Sequence, residues 1–143
     1  MGKDKQTFKK FLKRYENIQS NLWNLVRGGC LFFSILASYE DKFQETVDFI
    51  ELFQWAISER KVSLDGTVND SLAILNHIDG EKWKRLEVDT LLEIPKVENY
   101  FIVEKWEDSL GRNHFKPVGY DVYQDSLTVR TGKLSRYYIY YFE

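Results

Sequence analysis

The segment from Arg27 to Glu40, RGGCLFFSILASYE, places two glycines directly before a run of apolar residues that begins with the only cysteine of the chain. Drawn as a helix, this run is apolar on nearly every side. A soluble chain tolerates such a helix only where other elements cover it. We therefore predict a buried central helix with Cys30 in its first turn.

Cys30 stands at a position where a helix favours negative charge. Gly28 and Gly29 let the backbone reach conformations closed to other residues. The first N–H groups of the helix and the positive end of its dipole favour an anion, and a thiolate is an anion. The position therefore favours a reactive thiol, while a free cysteine is also commonly a small apolar core residue, so a structural role stays open.

Composition restricts the class of protein. With 143 residues, of which 43% are hydrophobic and 29% charged, the chain is typical of one folded soluble domain. Its formal charge of -2 disfavours nucleic-acid binding. One cysteine and two histidines cannot form an intramolecular disulfide or a zinc site with several thiolates, so neither a metal nor a cofactor is expected. The N-terminus lacks an apolar signal core and residues 31–37 are too few to span a bilayer, which predicts a cytoplasmic protein without membrane contact.

Helical periodicity dominates residues 1–80. The spacing of apolar residues predicts helices at Lys5 to Ile18, Asn17 to Arg27 and Asp41 to Arg60, followed by a short helix that Asn69 or Asp70 caps and Gly80 ends. The Lys5 segment is amphipathic and basic on one side, and the Asn17 segment is either a short helix or an ordered approach to Cys30. An Asp65-Gly66 turn separates two short β-prone stretches before the last helix.

From residue 81 onward the apolar period changes to two, which is typical of strands. Strands are predicted at Trp83 to Val88, Tyr100 to Trp106, Asn113 to Val118, Leu127 to Arg130 and Leu134 to Phe142, the last two joined by a hairpin at Thr131-Gly132. The last strand is aromatic on both faces, so we expect it to be central or covered. The predicted fold is a single α+β domain over residues 1–143, with N-terminal helices followed by an antiparallel β-sheet.

His114 is the stronger candidate for a base that takes the proton of Cys30. It opens the segment NHFKPVGYDVYQD, and a third group must orient such a base. If KPVG forms a type I turn, His114 lies opposite Asp121. If the loop is the Gly-Tyr pair instead, His114 lies opposite Asp125. The first register keeps Pro117 out of the ladder and is preferred. A surface ion pair is the alternative interpretation of His114, and His77, near a helix end, is typical of a solvated side chain.

The order of GGCLFFSILA, NHFKPV and YDVYQDS resembles the papain-like fold, especially peptidases of the bacteriocin-processing (C39-like) kind. The pieces GGCLFFSIL, the Leu64-Asp65-Gly66 turn and the closing DSLTVRTGKLSRYYIY are also similar to a small family of bacterial proteins carried on plasmids and prophages, whose members keep this order of Cys and His. The resemblance covers roughly Leu22 to the end through short motifs. It implies a papain-like architecture first and an activity second.

The activity that this resemblance implies is that of a cysteine peptidase or a related thiol acyl hydrolase. The Cys30 thiolate would attack a peptide or amide carbonyl, His114 would shuttle the proton, and Asp121 or Asp125 would orient His114. The substrate would be a peptide or a protein.

The chain departs from these peptidases in its oxyanion donor. They carry a glutamine a turn or two before the cysteine, whereas here Asn24 lies six residues before Cys30 and Gln19 lies further off. Asparagine can donate the same hydrogen bond from a shorter arm, together with the Cys30 N–H. The rival interpretation is a papain-like scaffold without catalysis that binds a protein partner. An open cleft at the thiol favours the enzyme, and a sealed thiol favours the scaffold.

Overall fold

The computed structural model describes residues 29–118 and 132–143. Within these ranges three helices precede four strands: α1 (Cys30–Phe43), α2 (Phe49–Ser58), α3 (Ser71–Asp79), β1 (Lys84–Val88), β2 (Asn99–Glu107), β3 (Asn113–Pro117) and β4 (Lys133–Phe142), with a 3₁₀ turn at Leu91–Glu93. The α+β class, with helices before an antiparallel sheet, is confirmed. The segments predicted at Lys5 to Ile18, Asn17 to Arg27 and Leu127 to Arg130 lie outside the described residues.

Helix α1 is the buried centre of the helical layer. Every residue from Cys30 to Glu40 is buried, as the apolar run predicts. Gly29, which precedes the helix, has φ -77° and ψ 3°, a conformation open to other residues as well. The expectation that Gly29 supplies an unusual backbone conformation is therefore wrong, and Gly28 lies outside the described residues.

The single helix predicted over Asp41 to Arg60 is wrong in extent. Helix α1 continues past its start, and Gln44 then ends α1 in the left-handed region at φ 55°. In the following turn the Glu40 carboxylate accepts the N–H of Val47 at 2.7 Å. Asp48 caps α2 by accepting a first-turn N–H at 3.1 Å. A buried carboxylate and a new cap thus divide one apolar stripe between two helices.

The shorter elements agree with their local signals. Asp70 caps α3, accepting a first-turn N–H at 3.0 Å, and Gly80 ends the helix at φ 76°. The predicted turn before α3 has Gly66 at φ 89°, which glycine adopts without strain. Val62 and Val68 flank this turn and form a single antiparallel bridge.

The described strands form an antiparallel sheet in the order β1-β4-β2-β3. Strand β4 therefore lies between β1 and β2, which confirms the prediction that it is central or covered. Tyr138 and Tyr140 belong to the same buried cluster as α1. On the other face of β4, Ile139 is also buried, so both faces of this strand are covered near its centre.

Aromatic rings fill much of the space between the helices and the sheet. Four rings with stacked contacts at 5.1 to 6.2 Å belong to Phe32, Phe33, Phe49 and Phe53. A second group at the other end of α1 consists of Tyr39, Phe43, Trp83 and Phe142. Within the described ranges, every helix is too short or too polar to cross a membrane.

Candidate functional site

Helix α1 and strand β3 meet at the first turn of the helix. The backbone N–H of Phe115 donates a hydrogen bond to Cys30 Sγ at 3.4 Å. Ser34 Oγ donates to the carbonyl oxygen of Phe115 at 3.1 Å. Because Ser34 follows Cys30 by one helical turn, two side chains on one helix face bind both backbone groups of a single strand residue. This arrangement joins the predicted nucleophile to the strand that carries the predicted base.

His114 lies close to the thiol because it immediately precedes Phe115. The Cα of His114 is two covalent bonds from the nitrogen of Phe115, which places that Cα within roughly 6 Å of Cys30 Sγ. An imidazole ring extends several bonds beyond its Cα, so the side-chain torsions of His114 decide whether ring and sulfur meet. His114 is buried, with 6% of its surface exposed. The structure places the backbone of His114 near the thiol, and contact of its ring with the sulfur stays a prediction.

Strand alternation separates the side chain of His114 from that of Phe115. The Phe115 ring packs on Tyr138 in the core, with ring centroids 5.3 Å apart. His114 lies directly opposite Trp106 of β2. Directly opposed residues of an antiparallel pair share a sheet face, and successive residues alternate between faces. His114 and Trp106 therefore lie on the face opposite the core contact of Phe115.

Two charged side chains adjoin His114 on that face and are largely withdrawn from water. Lys116 Nζ lies 3.5 Å from Glu104 Oε1, and their side chains are only 13% and 12% exposed. The indole N–H of Trp106 donates to the same Glu104 oxygen at 2.9 Å. The Lys116 amine also lies 5.0 Å from the centre of the Trp106 ring, within cation–π range.

The Cys30 thiol is free and buried. It is 8% exposed and belongs to the hydrophobic cluster at the centre of the fold. This degree of burial is that of a core side chain, so on the criterion of an open cleft it favours the structural interpretation of Cys30. The hydrogen bond from the Phe115 N–H to Cys30 Sγ does not depend on the exposure of the thiol, and it favours the catalytic interpretation.

The other predicted site residues are placed only in part. Asn24, Asp121 and Asp125 lie outside the described residues, so the choice between the two aspartates stays open. The preferred turn register expects Pro117 to lie outside a ladder, but Pro117 is the last residue of β3 and pairs with Val103. Pro117 lies two residues after Phe115, so its backbone is oriented in the same direction. The backbone groups of Phe115 turn away from β2 to bond α1, and the missing N–H of Pro117 therefore costs no hydrogen bond to β2.

His77 belongs to a different part of the helical layer. Its ring stacks on Trp55 with centroids 3.8 Å apart and planes 11° from parallel, which joins α2 to α3. Helix α3 contacts the second half of α1, where Tyr39 Oη donates to Asp79 at 3.2 Å. Tyr39 is about 13 Å along the helix axis from Cys30.

A compact loop positions β3 relative to β2. The Asp108 carboxylate accepts the backbone N–H groups of Leu110 and Arg112 at 2.9 Å and the Arg112 Nε at 2.7 Å. The hydrogen bond from the Arg112 backbone, followed by that from its side chain, holds the pKa of Asp108 below its usual range although burial opposes this shift. The loop thus depends on an ionised Asp108.

Sequence reasoning missed four residues of this region. The missed residues are Ser34, Glu104, Trp106 and Lys116. The spacing of Ser34 four residues after Cys30 is a local signal that could have found it. The other three depend on the register of two strands, which the sequence pattern does not specify at single-residue precision.

Among the described residues, no group of three or more His, Cys, Asp or Glu side chains could hold a metal ion. Comparison of the chain with models of protein families, with curated proteins and with solved structures finds no match. The resemblance to papain-like peptidases, and to the plasmid- and prophage-borne family, therefore stays a prediction.

Proposed function

We propose that this protein is a papain-like cysteine peptidase or a related thiol acyl hydrolase, with Cys30 as nucleophile and His114 as general base. The observation that supports this most is the hydrogen bond from the Phe115 N–H to Cys30 Sγ, which sets His114 beside the first residue of α1. Its substrate would be a peptide or protein. A cytoplasmic location is part of the proposal and is supported by the single free cysteine.

In the proposed reaction the Cys30 thiol gives its proton to His114, and the sulfur attacks the carbonyl carbon of an amide. The tetrahedral oxyanion is held by the Cys30 N–H and by Asn24. It collapses when the C–N bond breaks, and the leaving amine takes the proton from His114. Water, deprotonated by His114, then hydrolyses the acyl thioester and restores the thiol. Asp121 or Asp125 orients the imidazole throughout.

The burial of Cys30 favours a second candidate function. With 8% exposure, the thiol can be a core residue of a papain-like scaffold that binds a protein partner without catalysis. In that case His114 would have no effect on the reactivity of the thiol. The two functions therefore differ in whether the alkylation rate of Cys30 depends on His114.

The test is the rate at which iodoacetamide alkylates Cys30 near neutral pH. We expect the wild-type protein to react and His114→Ala to react at least ten times more slowly, because the base that takes the thiol proton is lost. His77→Ala is the matched control, since it removes the other histidine far from the thiol, and its rate should equal that of wild type. Melting curves establish that each variant is folded.

Equal rates for wild type and His114→Ala would leave Cys30 an ordinary thiol and favour the binding scaffold. If His114→Ala does not fold, His114→Gln, which retains a side chain of similar length without the imidazole, gives the same comparison.

A further inference from the structure

We infer that the pairing of Glu104 with Lys116, held in place by Trp106, prevents either charge from shifting the protonation of His114. The inference rests on the proposed function and deepens it, since an unpaired charge at either position would move the pH at which His114 can act on Cys30. Glu104, Trp106 and Lys116 are positioning residues in this role, because they act through His114.

The strand register places the ion pair next to His114. Trp106 lies opposite His114, and Glu104 lies opposite Lys116, one step further along the same face. Lys116 is two residues from His114 along β3, and Glu104 is its diagonal neighbour on β2, so both Cβ atoms lie about 7 Å from that of His114. Trp106 lies directly opposite His114, and on its other side Asp108 and Arg112, in the loop that joins the two strands, form a second ion pair at 2.7 Å.

The two charges act on His114 with opposite sign. A neighbouring ammonium disfavours the imidazolium form, and a neighbouring carboxylate favours it. While Lys116 and Glu104 are paired at 3.5 Å their effects largely cancel. Because the two side chains are only 13% and 12% exposed, water screens each charge weakly, so the loss of either one should be felt at His114.

Trp106 fixes the geometry on which this cancellation depends. Its indole N–H donates to Glu104 Oε1 at 2.9 Å, and its ring lies 5.0 Å from the Lys116 amine. One side chain thus contacts both charges, and it does so from the position directly opposite His114. A rigid aromatic side chain at this position limits the movement of the pair.

Other titratable groups of the described chain near this face do not change in the experiment. Cys30 approaches from α1 through the Phe115 N–H, and Tyr137 of β4 lies opposite Glu104. Lys105 and Arg136 alternate to the other face of the sheet. Asp108 and Arg112 in the β2–β3 loop and the predicted partners Asp121 and Asp125 are likewise retained in every variant, so a difference in His114 titration between variants reports the substituted charge.

The experiment follows the ring resonances of both histidines by NMR as the pH is varied, in wild type, Glu104→Gln, Lys116→Met and the double variant. In Glu104→Gln the unpaired ammonium should lower the titration midpoint of His114 by about one pH unit. In Lys116→Met the unpaired carboxylate should raise it by about the same amount. The double variant should return close to wild type, and His77 should not move in any of them.

Shifts of His114 in the same direction in both single variants, or no shift in either, would overturn the inference, since a merely structural role produces no change of sign. If Glu104→Gln does not fold, Lys116→Met decides through its upward shift, with the charge-retaining Lys116→Arg as its control. Opposite shifts in the two single variants would support this role of the ion pair whatever the alkylation result. If alkylation of Cys30 then does not depend on His114, only the proposed function is overturned.

Discussion

Ser34 Oγ donates a hydrogen bond to the carbonyl oxygen of Phe115 at 3.1 Å and so fastens the first turns of α1 to the strand that carries His114. Ser34 is fully buried, with 0% of its surface exposed. Since this hydrogen bond is partly shielded from water, it should matter both for stability and for the placement of Cys30 beside β3.

We predict that Ser34→Ala lowers the free energy of unfolding by about 0.5 to 1.5 kcal/mol, because it removes the hydrogen bond of a buried hydroxyl to the partly buried Phe115 carbonyl. The matched control is Ser58→Ala, which removes a hydroxyl bonded to the Trp55 carbonyl at 2.9 Å on an exposed helix end. That change should cost less than about 0.5 kcal/mol. Chemical denaturation of the two variants measures the difference, and equal costs would mean that the Ser34 contact does not stabilise the fold.

Substitution of Cys30 separates packing from chemistry. Cys30→Ser removes the thiol, so we expect alkylation to be abolished. It retains an acceptor for the Phe115 N–H, so the free energy of unfolding should fall by less than about 1 kcal/mol. Cys30→Ala leaves that N–H without the sulfur and should cost about 1 to 3 kcal/mol.

Thermal melts and labelling of both Cys30 variants provide the comparison. A drop of several degrees in the melting temperature of Cys30→Ser, together with a wild-type thiol that iodoacetamide does not label, would identify a core residue and contradict the peptidase proposal.

Acid should weaken the loop that positions β3. The pKa of Asp108 is lower in the folded protein than in the unfolded chain. The carboxylate therefore stabilises the fold fully at pH values above its pKa in the unfolded chain, about 3.9, and this contribution is lost as the pH falls through its pKa in the folded protein. Asp108→Asn should therefore melt below wild type at pH 7, and the gap should narrow as the pH approaches 2.

The control for the acid experiment is Asp89→Asn, which removes an exposed carboxylate lying 3.5 Å from Arg136. Its melting temperature should stay close to that of wild type at every pH, since exposed ion pairs contribute little. A gap for Asp108→Asn that is independent of pH would show that the loop does not depend on the ionised carboxylate.

The helix predicted over Asp41 to Arg60 shows where local reasoning fails. The apolar spacing continues through this segment, so periodicity indicates one element. The division comes from the left-handed Gln44 and from Glu40, whose carboxylate bonds to the Val47 N–H seven residues later. Neither feature changes the apolar period, although the cap at Asp48 is a signal that the sequence displays.

The sequence by itself determined the elements of this protein: the buried helix that begins at Cys30, the capped helix α3, and the aromatic strand β4 at the centre of the sheet. These depend on periodicity and capping, which act between residues a few positions apart. Only the tertiary structure decided that the Phe115 N–H meets the thiol and that Glu104 pairs with Lys116. The first contact joins residues 85 positions apart. The second depends on the register of β2 and β3, because a slip of one residue would move every side chain of a strand to the other face of the sheet. Such contacts follow from how the whole core packs, and no short stretch of sequence specifies that.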